Sequence, residues 1–206
     1  MRTARSGVSV RGVLLVKGTP PETVAWVRRG VVAAHVVPVG QWVGVCPAES
    51  RTRAPEPYVD VVPALAGHPL RRTQRPGIGF FATRDDGGER ALLTLQSGRV
   101  RAHTSWLAWS PGRGTHTLPP LPSPSIAELA TAAGRPGAKG RVLDALRDQR
   151  SGVDEWLTGL MLALGLPAVD LILGAPRGVA VTEPEERSVE TFASLTADDL
   201  REETTP

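Results

Sequence analysis

The chain has one cysteine, Cys46, which excludes an internal disulfide and a cysteine metal cluster. Lysine is almost as scarce. Only Lys17 and Lys139 are present, so 22 of the 24 basic residues are arginine. Alongside abundant alanine, glycine, proline and valine, that skew fits a GC-rich coding sequence better than selection for guanidinium chemistry. No apolar run reaches the roughly 20 residues that a membrane helix needs. The longest, LMLALGLPAVDLIL (160–173), is interrupted by Pro167 and Asp170. At the amino terminus, the VLLV core of MRTARSGVSVRGVLLVKG is too short for a signal peptide. The expectation is a cytoplasmic protein with no membrane insertion.

Signatures of catalysis are lacking too. AWSPG (108–112) resembles a serine nucleophile elbow, but the elbow uses the N–H after the serine as an oxyanion donor. Here that residue is Pro111, which has no N–H, and Cys46 is likewise followed by Pro47. His35, His68, His103 and His116 form no HExxH and no close pair. GRPGAKGR (134–141) lacks the phosphate-loop spacing, and RDDGGER (84–90) lacks the alternating ligands of a calcium loop. The sequence therefore assigns no catalytic residue, no metal site and no cofactor.

What the chain does have is self-similarity. GVLLVK (12–17) matches GFFATR (79–84), GVVAAH (30–35) matches GRVRAH (98–103), WVGVCP (42–47) matches WLAWSP (106–111), and ALAGHP (64–69) matches TAAGRP (131–136). Four blocks in order imply an internal duplication of units 12–69 and 79–136. Two copies are too few for a solenoid array.

RGVLLVK and GIGFFAT read as buried strands, bounded by turn residues. TPPETVAWVRRG reads as a helix with Thr19 as N-cap and Gly30 at its end. GGERALLTLQSG is ambiguous: Leu93 and Leu95 alternate as in a strand, whereas the repeat argues for helix. VVAAHVVPV with QWVGVC, and RVRAH with SWLAWS, read as strand pairs. YVDVVPALAG, kinked at Pro63, and SPSIAELATAAG, capped by Ser123 or Ser125, read as closing helices. The fold expectation is α+β: tandem strand–helix–strand–strand–helix units with pseudo-two-fold symmetry over residues 1–136. Residues 137–175 then form a helical layer. In it, Val142, Leu143 and Leu146 share one helix face, and Trp156, Leu157, Leu160, Met161 and Leu164 another.

Residues 183–206 carry eight acids and two arginines, a net of −6, whereas residues 1–182 carry 22 bases and 13 acids, a net of +9. By composition, residues 176–206 are an acidic and largely disordered tail. The alternative is a short helix that docks into a groove, since Thr196 and Asp199 give a capping-box-like helix start. Phe192, Leu195 and Leu200 are its apolar anchors.

The expected function is that of a non-enzymatic adaptor or scaffold with a protein partner. Trp42, Trp106, Trp109, His35 and His103 would line a groove near the pseudo-dyad, and the tail would engage the partner. One alternative is a nucleic-acid-binding module using Arg51, Arg53, Arg71, Arg72 and Arg75, with Tyr58 as the only nearby aromatic. Another is an enzyme with His35 and His103 paired at the dyad. The sequence leaves homo-oligomerisation open.

Overall fold

In the computed structural model, residues 9–98, 102–174 and 176–202 are described, the side chains of 197–202 excepted. The apolar runs read as strands are strands. β1 (Ser9–Val16) and β4 (Gly77–Asp85) lie side by side and antiparallel at the centre of the sheet, with Val13 opposite Phe80. Around them are β2 (Ala34–Val39), β3 (Trp42–Pro47), β5 (Gly88–Ser97), β6 (His103–Ser110), β7 (Gly114–His116) and β8 (Val181–Thr182). The order is β7-β6-β5-β4-β1-β3-β2-β8, and every pairing is antiparallel.

Antiparallel sheets commonly leave one face to water, but this one is covered on both, which explains its continuous apolar strands. Val13, Leu15, Ile78 and Phe80 point to one side. There they meet α3 (Ile126–Ala132), α4 (Lys139–Arg147), α5 (Val153–Leu164) and α6 (Asp170–Leu173). Trp156, Leu157, Leu160, Met161 and Leu164 are all buried, as the spacing on α5 predicts. Leu14, Val16 and Phe81 point to the other side, against α1 (Pro20–Arg28) and α2 (Val61–Gly67). The fold is thus mixed α+β, an eight-stranded antiparallel sheet with seven α-helices among the described residues.

Local signals place several boundaries. The Thr19 side chain caps α1 and Glu22 returns the bond; Ser125 and Glu128 do the same at α3. Pro63 falls in the first turn of α2, which starts at Val61, so its missing N–H has no intrahelical partner to lose. Gly12 has φ +138°, and a Cβ there would lie 2.1 Å from the Phe80 carbonyl oxygen. Only glycine permits the central strand pair to approach so closely.

Two expectations are corrected. Residues 12–69 run strand–helix–strand–strand–helix, whereas 79–136 run through four strands before a helix. GGERALLTLQSG forms β5, which pairs with β4 from Gly77↔Gln96 to Asp85↔Gly88. The alternation of Leu93 and Leu95 decides the conformation there, and the repeat does not. Secondly, the described part of the acidic tail carries secondary structure. β8 extends the sheet edge, and α7 (Glu186–Glu202) follows it. The helix starts ten residues before Thr196, whose hydroxyl donates to the Phe192 carbonyl at 3.0 Å instead of capping.

Candidate functional site

The residues nominated for a shared groove are not brought together. Trp106 and Trp109 are three apart on β6, an odd step, so they point to opposite faces. Trp109 stacks on Trp156 at 5.1 Å and, like Trp42, lies in the core beneath α3–α6. Trp106 lies in the other core. His35 on β2 and His103 on β6 are five strand spacings apart, about 24 Å at ~4.8 Å per step. The His35 Nδ1 is 2.9 Å from the Val179 carbonyl oxygen, and His103 Nε2 is 3.4 Å from Ser97 Oγ.

The nominated arginines sit in different settings. Arg51 pairs with Glu56 at 3.0 Å, and Arg53 with Glu49 at 2.8 Å and Glu183 at 3.1 Å. Arg75 donates to the carbonyls of Leu70 and Gly98, both at 3.0 Å. Arg71 and Arg72 are exposed and make no ion pair among the described residues. Cys46 is buried, and desolvation pushes its thiol up to about 12, which leaves it protonated and unreactive. No cluster of three metal-ligating side chains occurs among the described residues, and no helix there is long and apolar enough to cross a membrane.

An apolar groove lies elsewhere, between α2 and α7. Its volume is about 510 Å³. Pro63, Ala64 and Gly67 of α2 form one wall, and Phe192 and Leu195 of α7 the other. Tyr58 and His68 also line it, with Arg29 and Asp60 as its charged lining residues. The tail anchors therefore belong to the site in part: Phe192 is half-buried, Leu195 is 62% exposed, and the side chain of Leu200 lies outside the described residues.

Local chemistry holds this wall in place. Val189 and Phe192, three residues apart on α7, pack against the core beneath α1 and α2, and Thr196 is buried one turn on. The Phe192 ring meets Tyr58 edge-on. At the helix start, the Glu185 N–H donates to the Arg28 carbonyl at 2.8 Å, and Glu183 reaches Arg53. The acidic segment thus docks on the body's own arginine. His68 packs against Trp26, ring centroids 4.8 Å apart. Burial holds its imidazole below the ordinary 6.5, and the Arg29 charge adds to the effect.

Sequence reasoning missed Tyr58, His68 and the α2 wall, because only the tertiary docking of α7 brings them together. Phe192 and Leu195 were visible as apolar residues in an acidic background. No protein-family model, curated protein or solved structure matches the chain.

Proposed function

We propose that this chain is a non-enzymatic binding protein whose groove between α2 and α7 receives an apolar segment of a partner protein. The observation that carries the reading is the groove itself: about 510 Å³, apolar on both walls, with a terminal helix as one wall. An amphipathic helix or short apolar peptide laid in such a groove gains by burying two or three anchors, at roughly 1.5–3 kcal/mol for each large side chain. The exposed Leu195 beside half-buried Phe192 extends the apolar lining to the groove mouth. Glu186 and Glu190 lie on the exposed surface of α7, where they favour a partner with basic residues flanking its apolar anchors.

The test is copurification from the native cells with wild-type chain, Leu195→Glu and Leu162→Glu. Both leucines are 62% exposed, but Leu162 lies on α5 across the sheet. A partner recovered with wild type and Leu162→Glu and lost with Leu195→Glu supports the reading. Equal recovery with all three, or recovery with none, removes it.

A further inference from the structure

A second feature lies on the opposite face of the sheet, along α3. One cleft there is lined by Lys17 and Arg135, and another by Arg72 and Arg75. Pro76, Thr131 and Ala132 line both, so the two are halves of one trough with that saddle between them. Their volumes are about 700 and 760 Å³. Four cations line the trough, against one acid, Glu128. The Glu128 carboxylate is engaged in the α3 cap, where it accepts the Ser125 N–H at 2.8 Å.

Three of the four cations, Lys17, Arg75 and Arg135, are held by the fold. Lys17 Nζ lies 3.6 Å from the centre of the Trp42 ring, and Lys17 makes no ion pair among the described residues. Its ammonium is partly desolvated with only a ring face as partner, which lowers its pKa below the ordinary value. Arg135 packs on Gly165, where φ is +64° and a Cβ would stand 3.1 Å from the guanidinium Nε. Arg75 is fixed by its two carbonyl acceptors. The carboxyl ends of α3 and α5 also border the trough, where the carbonyls of Ala130, Thr131, Met161 and Leu162 accept N–H bonds from Arg135, Gly134, Leu166 and Gly165. The partial charge left there is small beside four full charges and falls off within one turn.

We propose that this trough binds an acidic, extended protein segment, with carboxylates at Lys17 and Arg135 on one side of the saddle and at Arg72 and Arg75 on the other. Charge complementarity selects an anion, and the apolar floor of Pro76, Ala127, Ala132 and Pro167 suits the small side chains between carboxylates. Single-stranded nucleic acid would be expected to use exposed aromatic platforms, and the one aromatic lining the trough, Trp42, is buried beneath Lys17.

The chain's two lysines make the test clean. Reductive ¹³C-methylation keeps their charge and gives Lys17 and Lys139 separate signals, and Lys139 does not line the trough. The probe is a blocked octapeptide of alternating glutamate and alanine, carrying four charges, and the comparison is a thymidine pentanucleotide with four phosphates. The expected result is a saturable shift of the Lys17 signal with the peptide, with Lys139 unmoved. Arg135→Gln and Arg72→Gln should each weaken binding three- to tenfold, although they lie on opposite sides of the saddle. Glu128→Gln keeps the capping box and removes the one like charge, so it should tighten binding. A Lys17 response no larger than that of Lys139 overturns the site. Tighter binding of the pentanucleotide overturns the assigned occupant, and indifference to Arg72→Gln overturns the single trough.

Discussion

Phe192 of α7 meets Tyr58 edge to face, with ring centroids 5.4 Å apart and planes at 90°. This pair joins the last helix to the loop ahead of α2, and both rings line the groove. An aromatic pair of this geometry contributes about 0.5–1.5 kcal/mol beyond area burial. Phe192→Ala should therefore loosen α7 without disturbing the sheet. Hydrogen exchange is the measurement: amides of 186–196 should exchange much faster, while those of β1 and β4 keep their protection. Equal loss of protection in the central strands would mean that α7 is integral to the core.

Removing residues 183–206 should leave a cooperatively folding chain. Val189 and Phe192 are only half-buried, so their loss should remove roughly 2–3 kcal/mol, a fall in Tm on the order of 5–10 °C. Loss of the sharp thermal transition would contradict this. The Glu183–Arg53 pair is exposed, so Glu183→Gln should have a smaller effect that fades as salt rises.

His68 gives the fold an acid sensitivity with a definite sign. Its folded pKa lies below the ordinary 6.5, so the unfolded chain binds the proton more readily. The contribution to stability is complete above pH 6.5 and is lost as the pH falls towards the folded pKa. The carboxylates of Glu128, held down by the Ser125 N–H, and Asp148, held down by the Ser151 hydroxyl, act in a lower window, beneath their ordinary 4.5 and 3.8. His68→Phe should keep the packing on Trp26 and flatten the stability profile below pH 6.5. Chemical denaturation at half-unit steps reads this directly, and an unchanged slope would contradict it.

Cys46 should be silent towards thiol reagents in the native state, because its thiol is buried in the sheet and pushed up to about 12. Labelling at pH 8 should proceed only through opening of the fold, which makes the residue a built-in reporter of opening. Rapid labelling of folded protein would show that β3 opens locally.

What the sequence discloses here is local. Thr19 and Ser125 mark helix starts, and the apolar spacing on α5 its buried side, all within a few residues of chain. Errors arose where a long-range argument overrode a local one. The repeat pressed a helix on β5, although Leu93 and Leu95 already showed a period of two. It also equated Trp42 with Trp106, which the strand registers send to opposite faces. Acidic composition hid α7, because the apolar surface that stabilises it comes from Tyr58 and α2, some 130 residues earlier. The groove was illegible for the same reason: its two walls are adjacent only after folding.

The most direct test of the partner-binding account is a photo-crosslinking residue placed at Ala64, on the α2 wall, in the native cells. The control carries the same residue at Leu162, on α5. The account predicts a cross-link from position 64 to a partner protein, through an apolar segment of it, that is absent from position 162 and lost when Leu195→Glu is added. Cross-links from position 64 to α7 alone, or the same products from both positions, would contradict it.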